Sequence, residues 1–121
     1  EKGATPIILS FTPRNEWHQG KGEVRGTFYP VNEKANKEYI ERRNDKYIPE
    51  WDKKIAEENG VAFVDVHNIT ADALDKLGKE KAAAYFNHDH THTSLKGAQL
   101  NAKSVAKGLK TINHPAAKLL K

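Results

Sequence analysis

The sequence predicts an α/β fold built on a partial, doubly wound parallel sheet, and three observations carry that prediction. Residues 6–11, Pro-Ile-Ile-Leu-Ser-Phe, form a short and nearly continuous apolar run. Residues 61–66, Val-Ala-Phe-Val-Asp-Val, form a second. Runs of this kind mark strands covered on both faces, as in parallel sheets. Between them, Tyr47, Ile48, Trp51 and Ile55 recur at helical spacing before the stop signal Asn59-Gly60. Strand, helix and strand make a βαβ unit, whose crossover brings the two strands side by side and parallel.

Each element then follows in order. The first strand is preceded by Gly-Ala-Thr-Pro and followed by a loop containing Pro13, Arg14, Asn15 and Trp17. The very polar stretch 32–46 reads as a surface helix over about 33–43, and residues 13–46 make the connection longer than the βαβ unit requires. Helix 47–59 and the second strand complete the unit. Thr70 is the expected cap of the next helix, with Ala73, Leu74 and Leu77 inward and Gly78 as its end. An alanine-rich segment leads to Tyr85-Phe86. Ser94 or Thr93 then caps the clearest helix, whose apolar stripe is Leu95, Ala98, Ala102, Val105, Ala106, Leu109 and Ile112. A tail from Pro115 is expected to dock through Leu119 and Leu120.

The 121 residues suffice for a single domain. Leu, Ile, Val and Phe together make about a fifth of the chain, near the lower limit for a globular composition, so the core should be thin. The 20 basic and 16 acidic residues are interspersed rather than blocked, which reads as a solvated surface and not as a nucleic-acid footprint. No apolar run approaches the length of a membrane span. Without cysteine, disulfides, thiolate catalysis and cysteine-ligated metals are excluded. The opening Glu1-Lys2-Gly3, with no initiator Met, suggests a piece of a larger protein.

Chemistry concentrates in Asn87-His88-Asp89-His90-Thr91-His92-Thr93-Ser94. Three readings compete. The segment can be a polar, helix-capping loop. His88, His90 and His92 alternate and would share one face of an extended chain, so an imidazole-ligated metal is a second reading. The third is an acid–base pair. In Asp89-x-x-His92 the carboxylate can accept from the imidazole Nδ1–H, fix its tautomer and leave Nε2 for a nucleophile's proton.

The stretch from Tyr85-Phe86-Asn87-His88-Asp89-His90-Thr91-His92-Thr93-Ser94 to Gly97-Ala98 resembles the final conserved block of the SGNH (GDSL-like) hydrolases, and most closely that of the rhamnogalacturonan acetylesterases. Ile8-Leu9-Ser10-Phe11-Thr12-Pro13-Arg14-Asn15 is similar to that family's strand leading into a Thr-Pro loop. Trp51 through Gly60-Val61-Ala62-Phe63-Val64-Asp65 is similar to its helix and last strand, and beside that family residues 20–46 look like an insertion. The resemblance implies a flavodoxin-like fold, of which this chain is the C-terminal part. It implies a secreted or periplasmic serine esterase that deacetylates a pectic polysaccharide without cofactor or metal. It also implies that Asp89 and His92 are the acid and base of a Ser-His-Asp triad. Asn15, Trp17 and His90 are candidates for substrate contact.

The family's Gly-Asp-Ser nucleophile block and its oxyanion-hole Gly and Asn blocks do not occur here. The three serines, Ser10, Ser94 and Ser104, read as a buried strand residue, a helix cap and a packed helix residue. These 121 residues are therefore expected to be inactive alone and to need the N-terminal half of the domain as partner. A non-catalytic alternative is a carbohydrate-binding or interaction module, with Trp17, Phe28, Tyr29 and Tyr39 stacking on sugars. The first strand, left as an edge, is expected to promote self-association.

Overall fold

The computed structural model describes residues 3–15, 17–18, 39–40 and 48–120. Its elements in chain order are β1 (Ile7–Leu9), β2 (Trp17–His18), β3 (Tyr39–Ile40), α1 (Ile48–Glu58), β4 (Ala62–Val64), α2 (Val66–Leu77), α3 (Lys79–Ala82), a 3₁₀ turn (Ala83–Tyr85), α4 (Leu95–Thr111) and a second 3₁₀ turn (Pro115–Leu119). The α/β class holds. β1 and β4 are parallel, with Ile7 opposite Ala62, Ile8 opposite Phe63 and Leu9 opposite Val64, and the Ser10 N–H extends the ladder to the Val64 carbonyl at 3.1 Å. Helix α1 is the crossover between them and packs against both strands.

The insertion departs from expectation where it is described. Tyr39–Ile40 is extended and pairs antiparallel with Trp17–His18, as Trp17 opposite Ile40 and His18 opposite Tyr39, instead of lying in a helix over 33–43. An aromatic and a β-branched residue suit a paired strand better than a weakly amphipathic helix. The rest of that helix, Phe28 and Tyr29 lie outside the described residues.

Helix α2 begins directly where β4 ends. Asp65, not Thr70, caps it: its Oδ1 accepts from the Asn68 N–H at 3.1 Å. Thr70 lies inside the helix and is buried, as are Ala71 and Leu74. The predicted stop is in place, since Gly78 adopts φ +78° and its N–H reaches the Leu74 and Asp75 carbonyls.

The thin core divides in two. Ala71, Leu74, Ala82 and Phe86 form one cluster, with Trp17, Leu77, Tyr85 and Leu100 against it. Val64, Val66 and Leu109 form the other, with Ile7, Val105 and Ala117. The face that α4 buries matches the apolar stripe read from periodicity only in part, at Val105 and Leu109. Gly97, Ser104, Gly108 and Leu109 are buried, while Leu95 is 77% exposed, Ala98 and Ala102 are exposed, and Ile112 is 41% exposed. A Cβ on Gly108 would collide with the Val64 side chain, and one on Gly97 with the Tyr85 carbonyl. Small residues thus line the inner face because the helix backbone approaches so closely. The same logic applies to α1, where Ala56 is fully buried and Trp51 and Ile55 point outward. The tail docks through Ala117, whereas Leu119 is 83% exposed.

Among the described residues β1 pairs on one side only, and Leu9 at its end is exposed. Concentration-dependent association is the expected result, read by sedimentation velocity. Leu9→Lys should shift the equilibrium toward monomer, and a monomeric wild type at high concentration would remove the edge from consideration.

Candidate active site

Residues 85–94 form a two-sided loop. Phe86 and Thr93 form an antiparallel bridge, the Asn87 N–H donates to the His92 carbonyl at 2.8 Å, and the Ser94 N–H donates to the Tyr85 carbonyl at 3.0 Å. Asn87 Nδ2 adds a bond to the Thr93 carbonyl at 3.1 Å. Ser94 ends the loop as the cap of α4. Its Oγ accepts from the Gly97 N–H at 3.3 Å and donates to the Ala84 carbonyl at 2.9 Å. Its proton and one of its lone pairs are committed to structure, as expected for a cap and not for a nucleophile.

At the turn itself, Asp89 is a triple acceptor. Oδ1 takes the N–H groups of Thr91 and His92, each at 2.7 Å. Oδ2 takes the ring nitrogen Nδ1 of His92 at 2.6 Å. An ionised carboxylate has no proton to give, so Nδ1 carries the hydrogen, and in the neutral imidazole Nε2 is left with its lone pair. The His92 side chain is 77% exposed, so that nitrogen is accessible. The backbone N–H of His92, then its imidazole, then the Thr91 N–H hold the Asp89 carboxyl well below the usual carboxylate range. A group whose folded pKa is depressed contributes order above its unfolded pKa and loses it as pH falls toward the folded one. The turn should therefore survive passage through pH of about 3.9, the ordinary Asp value. The Thr91 and His92 amide shifts report this. A midpoint at or above that value would show that these donors do not hold the carboxylate.

The other candidates converge on the same turn. The Asn15 N–H donates to the His90 carbonyl at 2.7 Å, and Trp17 Nε1–H donates to Asn15 Oδ1 at 3.0 Å. Trp17 is half-buried and also packs against the Ala71, Leu74, Ala82 and Phe86 cluster. His88 and His90 are exposed. No cluster of three His, Asp or Glu side chains suited to a metal occurs among the described residues.

A second polar network, at the carboxyl ends of β1 and β4, was not anticipated. Ser10 Oγ accepts from the His67 N–H at 2.9 Å and lies 3.4 Å from Asp65 Oδ1, to which it donates. Asp65 Oδ2 accepts from Asn68 Nδ2 at 2.6 Å. His67 is fully buried, donates from Nδ1 to the Phe11 carbonyl at 3.2 Å, and meets the Phe11 ring edge-on. Asp65 at a strand exit with Asn68 three residues on was the available signal, a cap pattern. Ser10 and Ser104, 4% and 2% exposed, are as buried as their positions implied.

No protein-family model matches the chain. It is 30% identical over 109 residues to the protein named rhamnogalacturonan acetylesterase from Emericella nidulans, covering 90% of this chain and 37% of that protein. It is also 30% identical over 120 residues to the protein named probable rhamnogalacturonan acetylesterase YesY from Bacillus subtilis, covering 95% of this chain and 46% of that protein. The chain spans less than half the length of each of these curated relatives.

Proposed function

We propose that the chain is the C-terminal part of an SGNH-type carbohydrate esterase that removes acetyl groups from rhamnogalacturonan, and that it supplies the general base and its orienting carboxylate. The observation that carries this reading is the 2.6 Å contact from Asp89 Oδ2 to His92 Nδ1, with Oδ1 closed by two backbone donors. The 30% identity to two relatives so named supports the substrate class.

In the complete domain, Nε2 of His92 accepts the proton of a serine hydroxyl supplied by the remainder of the protein as that oxygen attacks the acetyl carbonyl. The imidazolium, stabilised by ionised Asp89, returns the proton to the departing sugar oxygen as the acyl C–O bond breaks. A second cycle, with water as nucleophile, releases acetate and regenerates the serine. The depressed Asp89 carboxyl suits this role, because the orienting group stays ionised throughout. His90 lies on the same turn and Asn15 beside it, which keeps both as candidates for contact with the sugar. No helix among the described residues is long and apolar enough to cross a membrane. A polymeric substrate favours a secreted or periplasmic site of action.

The test compares two samples. The complete gene product should release acetate from acetylated rhamnogalacturonan. The 121-residue chain should hydrolyse aryl acetates no faster than free imidazole, because positioned nucleophile and oxyanion donors are supplied elsewhere. Saturable turnover by the short chain that vanishes in Ser94→Ala would overturn both the division of labour and the reading of Ser94 as a cap.

A further inference from the structure

The stem of the Asp89 loop is closed by its own hairpin bonds, but its tip is held from outside. The His90 carbonyl and the Thr91 N–H belong to one planar peptide unit. On one edge of that unit the carbonyl accepts from the Asn15 N–H at 2.7 Å. On the other edge the N–H donates to Asp89 Oδ1 at 2.7 Å. Rotation of the plane breaks both bonds together, and each polarises the peptide in the sense that strengthens the other. Asn15 is itself fixed, since its Oδ1 accepts the Trp17 indole N–H at 3.0 Å and the Trp17 ring is packed against the Ala71, Leu74, Ala82 and Phe86 cluster.

We infer that Trp17 and Asn15 are positioning residues which, through the peptide joining His90 and Thr91, hold Asp89 in the orientation that sets the tautomer of His92. This inference rests on the reading of Asp89 and His92 as the acid–base pair and extends it to the loop after β1. It assigns the Trp17 indole N–H to a structural link and not to a sugar. It also makes the loop following one strand a determinant of catalytic geometry in the loop before α4, two segments far apart in sequence.

The experiment uses the 121-residue chain and does not depend on turnover, so failure of the esterase reading and failure of this one are separable. Amide hydrogen exchange is measured at Asn15, Thr91 and His92, with the α4 amides of Val105 and Leu109 as reference. The ring ¹⁵N shifts of His92 in alkaline buffer report which nitrogen carries the proton. Trp17→Phe keeps an aromatic ring and deletes the donor. Exchange at all three turn amides should rise roughly 2- to 10-fold, the factor associated with one net hydrogen bond. The His92 Nε2–H tautomer should gain population while the reference amides hold. Asn15→Ala, which leaves Trp17 in place, should reproduce the pattern, and Asn15→Asp, which retains an acceptor, should restore it. Faster exchange at Asn15 alone, with Thr91, His92 and the tautomer unchanged, overturns the relay. If Trp17→Phe loosens α4 as well, Asn15→Ala decides: a selective effect on the turn sustains the inference, and any other result refutes it.

Discussion

Under the proposed triad mechanism, replacing His92 by alanine in the complete protein is expected to lower kcat for acetate release by roughly 10⁴- to 10⁶-fold while leaving KM nearly unchanged. In the proposed mechanism the imidazole accepts the serine proton and returns it to the leaving oxygen, so its loss would remove assistance to both bond-making and bond-breaking. Asp89→Asn should cost about 10⁴-fold by the same comparison with other triads, because an amide in place of Oδ2 no longer dictates the Nδ1–H tautomer. Asp89 also caps its own turn through the Thr91 and His92 amides, so asparagine retains part of the backbone geometry and tests the tautomer specifically. The double variant should be little worse than His92→Ala, since the two groups act as a unit. Initial rates of acetate release across the four enzymes provide the measurement. A loss of less than about tenfold in Asp89→Asn, against the range expected for an orienting carboxylate, would remove Asp89 from the mechanism.

Gly97→Ala is expected to destabilise the fold by about 3 kcal/mol. Its Cβ would run into the Tyr85 carbonyl oxygen and lie 2.9 Å from Thr93 Cβ. The carbonyl cannot simply retreat, because it accepts the Ser94 N–H at 3.0 Å, and Thr93 is tied to Phe86 in the bridge. The strain therefore falls on the base of the loop that carries Asp89 and His92. Urea denaturation should show the loss at unchanged m-value. Gln99→Ala, on the exposed side of the same helix, should stay within about 0.5 kcal/mol of wild type. Equal effects at the two positions would show that α4 does not approach Tyr85 as closely as its glycine implies.

Local rules proved legible where one segment decides its own conformation. The parallel β1–β4 pair follows from two apolar runs separated by a helical period, and Gly60 and Gly78 end α1 and α2 as their positive φ values permit. Ser94 caps α4 because its hydroxyl needs only to reach three residues ahead. The Asp89–His92 contact belongs to the same class, since a three-residue spacing brings carboxylate and imidazole within reach in one turn.

Long-range packing decided the rest. Periodicity assigned Leu95 and Ile112 to the inner face of α4, but a helix that packs by close backbone approach buries its smallest residues, and Gly97, Ser104 and Gly108 took that face. Hydropathy cannot register this choice, because a glycine contributes almost nothing to an apolar stripe. Tyr39–Ile40 became a strand only because Trp17–His18 lay beside it, and a strand's hydrogen bonds, unlike a helix's, come from a distant partner. By itself the sequence determined the strand–helix–strand order, the Ser94 cap, the glycine stops and the Asp89–His92 contact, though not the Asp65 cap of α2. Tertiary structure alone decided which faces are buried and that Asn15, steadied by Trp17, docks on the His90 carbonyl, since those contacts join segments whose pairing no local pattern encodes.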